Sequence, residues 1–228
     1  MKAAAMSAGL WGLAGTRKEV LESPSANEQG IHSLSGWSRG RFEQEQIRGL
    51  VRQVFSPRLN PPVRQIVFSA VEPETEVSDI CRKVAEALAA EVSGDVVVVG
   101  ARTDREECVG ARRMGLRESA KQVRRNLWLA AQREVGEEGL STASLHAYLA
   151  EIRREFEYSI VAAPAAGESN EAQAMAQFAD GMILVLSAKN TRRVTALKVK
   201  EMLAQVRILG TVLTDREFPI PEGIYRRL

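Results

Sequence analysis

Residues 71–77 read Val-Glu-Pro-Glu-Thr-Glu-Val, between an apolar run and a helical pattern. The run is Ile66-Val67-Phe68, closing on the small pair Ser69-Ala70, and the helical pattern opens at Ser78. A loop in that position can cradle phosphate with its backbone N–H groups, provided that glycines permit close approach and a lysine meets the charge. This loop has no glycine and no lysine; it carries Glu72, Glu74 and Glu76. A carboxylate about 6 Å from one phosphate charge costs roughly 2–3 kcal/mol at an effective dielectric near 20. Several such pairs would erase micromolar affinity unless the side chains swing into solvent or a cation intervenes. The plain reading is a solvated acidic loop whose last residues favour the positive end of the helix dipole. A metal site made of these glutamates lacks a histidine or a second carboxylate cluster to complete it.

The other segments that could do chemistry are equally bare. One strand ends in Gly100-Ala101-Arg102, another in Ala162-Ala163-Pro164, and the last in Thr214-Asp215-Arg216. A nucleotide-hydrolysing site wants an aspartate at the first two of these ends, for water or metal, and neither has one. Asp215 is open to a functional role, although a polar strand exit explains it as well. His32 lies in the N-terminal segment, and His146 sits among Leu145, Tyr148 and Leu149, where a half-buried helical position is the expectation. No Gly-x-Ser-x-Gly stretch and no histidine pair at metal spacing occurs. Cys81 and Cys108 form no Cys-x-x-Cys and read as two reduced thiols.

These ends must be held by a scaffold, and its pattern is legible. Short apolar runs recur at 65–70, 95–100, 126–131, 158–163, 182–187 and 208–213. Helical periods fall at 77–92, about 105–122, 142–156, 170–179 and 191–206, with Ser141 or Thr142 placed to cap the third. Continuous apolar strands alternating with amphipathic helices predict an α/β fold, a mostly parallel sheet with helices on both faces. Ligands of such sheets bind beyond the carboxyl ends of the strands. Function is therefore expected at 70–78, 100–105, 162–170, 187–192 and 214–219. Ahead of the sheet, residues 41–55 space Phe42, Ile47, Leu50, Val51, Val54 and Phe55 as a helix that must end before the prolines of Ser56-Pro57-Arg58-Leu59-Asn60-Pro61-Pro62.

The chain has 228 residues, with 31 basic and 29 acidic side chains and a net charge of +2, so charge gives no argument for nucleic acid. Residues 1–40, rich in Ala, Gly and Ser, are expected to form a disordered tail. Their start, Met1 to Gly15, leaves a weak membrane-surface contact or a cleaved signal open as alternatives, but Ser7, Gly9 and Gly12 break the apolar stretch. The expected division is thus a tail at 1–40, a helix and proline-rich joint at 41–60, and an α/β domain at 61–228.

Two stretches carry a family likeness. Residues 156–167, FEYSIVAAPAAG, resemble a motif written FDYIIIDAPP. The second stretch, from Phe178 to Leu228, holds Ala179-Asp180-Gly181, Thr191-Arg192-Arg193 and Ile208-Leu209-Gly210-x-Val212-Leu213 in order. Together they resemble the bacterial tyrosine kinases (BY-kinases) of capsule and exopolysaccharide synthesis, relatives of the MinD/ParA ATPases with a three-layer P-loop NTPase-like fold. The likeness spans about residues 41–228, strongest from Phe156 onward and poor over 101–140.

Carried over position by position, the resemblance implies an eroded site. The phosphate-loop positions fall on Glu74, Thr75, Glu76, Val77 and Ser78, with Val77 at the lysine and Ser78 at the hydroxyl; a shift of one residue puts Glu76 at the lysine instead. The family's acidic positions fall on Gly100, Arg102 and Ala162, and its base-side asparagine on Thr214. The C-terminal tyrosine cluster is reduced to Tyr225. The oligomerising helix, Glu-x-x-Arg-x-x-Arg in the family, here gives Glu45, Arg48 and, one place late, Arg52. The resemblance therefore implies a catalytically inactive scaffold or regulatory partner in exopolysaccharide assembly, with no catalytic residue, metal or cofactor. Its partner would be an active kinase homologue or the cytosolic tail of a membrane polysaccharide chain-length protein, with homo-oligomers possible and no nucleic acid. The expected place is the cytoplasm, at the inner membrane only through a partner. The alternative is a divergent kinase or ATPase of the same pathway that binds ATP and magnesium with a lysine borrowed from elsewhere.

Overall fold

The computed structural model describes residues 39–56, 61–100, 115–131 and 141–215. Seven strands form one sheet in the order β3-β4-β2-β5-β1-β6-β7. They are β1 (Gln65–Ala70), β2 (Val96–Val99), β3 (Lys121–Arg124), β4 (Leu127–Ala130), β5 (Tyr158–Ala162), β6 (Gly181–Ser187) and β7 (Ile208–Thr214). Every neighbouring pair is parallel except β3 with β4. The helices are α1 (Arg39–Val54), α2 (Ser78–Glu91), α3 (Leu116–Ser119), α4 (Thr142–Glu155), α5 (Asn170–Phe178) and α6 (Arg193–Met202).

The continuous apolar runs make a sheet buried on both faces, because successive side chains point to opposite sides. Ile66, Phe68, Val96 and Val98 face a layer built from Val51 and Val54 of α1 and Cys81, Val84 and Leu88 of α2. Val67, Val97, Val99 and Val161 face the other layer, which holds Leu145, Tyr148 and Leu149 of α4, Met175 of α5 and Val199 of α6. The three-layer architecture expected from the pattern is the one observed. Burial pushes the Cys81 thiol well above its ordinary range, so it behaves as a small core residue. Cys108 and His32 lie outside the described residues.

Most element bounds agree with the sequence reading, including the Ser141 cap, whose Oγ accepts from Ser144 N–H at 3.1 Å. Three places differ. Helix α1 begins at Arg39, so two residues assigned to the tail are helical, while the rest of that tail lies outside the described residues. The helix expected over about 105–122 keeps only α3 among the described residues, and Lys121–Arg124 turn back instead as an antiparallel edge strand. All four β3 side chains are exposed, so no apolar period betrays that strand. His146 is exposed rather than half-buried, its ring 4.8 Å from that of Phe178.

The amino end of the sheet is tied by one carboxylate. Asp180 Oδ2 accepts from the backbone N–H groups of Arg64 and Gln65 at 2.7 and 2.8 Å, and Oδ1 accepts from Arg153 at 2.6 Å. Burial pushes this carboxyl up, but the two N–H groups and the guanidinium together bring it below the usual range.

Candidate functional site

A cleft of about 590 Å³ opens at the carboxyl ends of β1, β2 and β5. Its wall is the loop 73–77 with Ser78 of α2, and its floor is Ala70, Gly100 and the stretch Ala162–Ala165, with Glu168 at the rim. The strand ends singled out from sequence thus converge, and Glu74, Thr75, Glu76, Val77, Ser78, Gly100 and Ala162 meet in one place. Arg102 lies outside the described residues. Thr214 is not brought into the cleft: it ends β7, separated from β1 by β6. Its hydroxyl donates to Leu186 O at 3.2 Å.

The loop alternates around its own backbone. Val71, Thr75 and Val77 are buried, while Glu74 and Glu76 are exposed on the cleft side. Glu72 departs from the expectation that all three glutamates face the phosphate position, since it is absent from the cleft wall and its Oε2 is buried without a hydrogen-bond partner. Thr75 Oγ1 is likewise buried without a partner. The missed carboxylate is Glu168, whose only sequence signal was its place after a strand end.

Backbone geometry decides what the loop can hold. Anion-cradling nests require residues in the left-handed region so that successive N–H groups converge. Among the described residues only Gly100, at φ 82°, and Asp215, at φ 54°, have positive φ, and neither is in the loop. Thr75 N–H is turned back onto Glu72 O at 3.2 Å, and Pro73 has no N–H to offer. Among the described residues lining the cleft there is no lysine or arginine. Among the described residues no group of three or more His, Cys, Asp or Glu is arranged to hold a metal ion.

The remaining hydroxyls brace the fold. Ser78 Oγ donates to Gly100 O at 3.2 Å, tying the start of α2 to the end of β2. Ser69 Oγ donates to Pro164 O at 2.6 Å, while Ala163 N–H and Ala166 N–H each donate at 2.8 Å to Phe68 O and Ala70 O. The segment after β5 is thereby fastened along the end of β1, so tightly that a Cβ at Gly167 would stand 2.5 Å from Val71 O. Asp215 accepts from Ser187 Oγ at 2.8 Å, which makes it a brace between β7 and β6.

On α1, Arg48 pairs with Glu45 at 3.0 Å and Arg52 with Glu91 of α2 at 3.3 Å, both pairs within the chain. Lys83 of α2 meets Glu43 at 2.6 Å and Asp79 at 2.7 Å. The Lys83 hydrogen bond, against some desolvation, holds Asp79 below the usual carboxylate range.

No family model and no curated protein matches the sequence. Solved structures match in fold. The BceF tyrosine kinase domain aligns at TM-score 0.60 and 18% identity, covering 75% of this chain and 76% of that one. The kinase domain of the Escherichia coli tyrosine kinase ETK aligns at TM-score 0.60 and 14% identity, covering 79% and 80%. A chain of the MinC:MinD cell division complex of Aquifex aeolicus aligns at 0.50 and 16%, covering 66% and 67%. The chain has the P-loop NTPase-like α/β fold of bacterial tyrosine-kinase domains and MinD-type proteins.

Proposed function

We propose that this chain is a catalytically inactive member of the tyrosine-kinase-like fold class that acts as a scaffold or regulatory subunit in exopolysaccharide assembly. The observation that carries the reading is the cleft itself: among the described residues Glu74, Glu76 and Glu168 line it and no lysine or arginine does, and its loop has no left-handed residue. Phosphoryl transfer is positioning plus electrostatic stabilisation of negative charge, and the charged groups on the described wall of this cleft are themselves negative. Glu76, Val77, Gly100 and Ala162 stand where the resemblance puts the lysine and two of the carboxylates, which supports an eroded site rather than a rearranged one. The pathway rests on the sequence resemblance to the kinases of capsule synthesis, and the fold is compatible with it.

The partner in this reading is an active kinase homologue or the cytosolic tail of a membrane chain-length protein, met through the exposed side of α1 at Glu45, Arg48 and Arg52. Val51 and Val54 are buried in the chain's own core, so α1 offers a charged rim rather than an apolar anchor. The deciding experiment is calorimetric titration of magnesium-ATP into the full chain. No binding tighter than about 1 mM, or roughly −4 kcal/mol, is expected; a low micromolar dissociation constant refutes the reading. A pull-down with an active kinase homologue serves as the second arm, with Glu45→Arg plus Arg48→Glu expected to lose capture at unchanged folding. Undiminished capture would remove α1 from the proposal.

A further inference from the structure

Helix α6 presents a face that nothing within the described chain completes. Val199 turns inward to the core, and helical spacing puts Val194 and Leu197, five and two residues before it, on the opposite side. Val194 is 78% exposed, Leu197 48% and Met202 45%. On the neighbouring edge strand Leu213, which pairs with Leu186, is 55% exposed. Leu186 packs into the same core layer as Val199, so Leu213 emerges on the face of the sheet that α6 covers.

Cations ring these aliphatic side chains. Arg192, Arg193, Lys198 and Lys200 are all exposed, and none has an ion pair or hydrogen bond to its side chain among the described residues. By helical spacing Arg193 and Lys200 flank the Val194–Leu197 stripe on one side and Lys198 on the other. Glu201 is the one acid within the stripe. The α1–α2 surface contrasts with this, because there Arg48, Arg52, Arg82 and Lys83 each meet a carboxylate.

We propose that the α6–β7 face is a docking surface for an anionic phospholipid bilayer. Medium-sized aliphatic groups standing on a convex helix, with long-stemmed cations beside them, suit the headgroup boundary: the aliphatics enter the acyl edge and the cations reach phosphate. A protein anchor would favour Trp, Tyr or Arg; among the described residues the face has no Trp or Tyr, and its arginine, Arg193, stands beside two lysines, which protein interfaces disfavour. Charge complementarity to an anionic surface selects the occupant, since among the described residues Arg193, Lys198 and Lys200 flank the stripe without an ion pair, against the single acid Glu201 within it. Among the described residues no helix is long and apolar enough to cross a membrane, so the contact is one of lying on the surface.

The test is co-sedimentation of the full chain with vesicles of equal parts phosphatidylglycerol and phosphatidylcholine, against vesicles of phosphatidylcholine alone. The bound fraction is expected to be about tenfold greater on the anionic vesicles and to fall with added salt. Leu197→Glu and the pair Lys198→Glu with Lys200→Glu should each lower binding about tenfold, with the melting temperature unchanged. Arg82→Glu, on α2 in the opposite layer, should bind as the parent does. Equal sedimentation with both vesicles overturns the proposal. So does binding that survives Leu197→Glu, which would assign the contact to another segment such as residues 1–15. Capture of an acidic protein by a chain that ignores vesicles would give the face to a protein and refute the lipid assignment.

Discussion

The two ends of the sheet treat carboxylates in opposite ways. At the amino end, Asp180 is shared among two backbone N–H groups and Arg153, and its side chain is 16% exposed. At the carboxyl end, Glu74 and Glu168 stand exposed on a cleft whose described wall has no lysine or arginine, and Glu72 Oε2 and Thr75 Oγ1 are buried without partners. A carboxylate whose lone pairs are met by donors is part of the framework; buried polar atoms left unmet are a cost that a framework alone has no reason to bear. Trp128 Nε1 on β4 is also buried without a partner, so what distinguishes the carboxyl end is that two such groups fall in one loop at the strand ends, where ligands bind in such folds.

That contrast can be broken most directly at Asp180. Asp180→Ala strips the donors of Arg64, Gln65 and Arg153 of their acceptor and is expected to cost about 3 kcal/mol in denaturant unfolding. The pH dependence follows from the lowered carboxyl: its contribution is present above the unfolded value near 4, and is lost as pH falls through the folded value. The parent should therefore lose stability in acid below about pH 4 more steeply than the variant. Parallel acid profiles would show that Asp180 is not the tie described.

A smaller effect is expected at the clamp beside the cleft. Gly167→Ala sets a Cβ 2.5 Å from the Val71 carbonyl, a backbone atom that cannot rotate away. The segment after β5 must then lift from β1, at about 1–3 kcal/mol. A melting temperature equal to the parent's would mean that the two segments are not clamped.

The smallest change, and of opposite sign, is expected at Thr75. Thr75→Val replaces an unpartnered buried hydroxyl by a methyl of similar size, so stability should stay level or rise by about 1 kcal/mol. Destabilisation beyond that would reveal a partner for the hydroxyl, and would remove the contrast between the two ends at this residue.

The sequence made the sheet legible because buried parallel strands are written as unbroken runs such as Val96-Val97-Val98-Val99, and because Ser141 caps α4 by a local bond. It hid β3, since Lys121-Gln122-Val123-Arg124 is an exposed edge held only by pairing with β4. The cleft was legible as loops, because a parallel sheet must gather its strand ends. The inward turn of Glu72 and the arrival of Glu168 were not, for both depend on how the segment after β5 is fastened to β1. Asp180 was legible as a motif residue, but its partners at Arg64 and Gln65 lie far away in the chain and leave no local trace.

The strand order has a consequence for the birth of the molecule. Strand β1 is buried at every position and lies between β5 and β6, which come about a hundred residues later in the chain. On a ribosome adding 5–20 residues per second, Ile66, Val67 and Phe68 therefore wait for roughly ten seconds without either neighbour. Until then α1 and α2 are the elements at hand to cover one side of that strand, and its hydrogen-bonding edges stay open to other chains. The nascent protein is thus most exposed to aggregation, and most dependent on chaperones, in the interval before β6 leaves the exit tunnel.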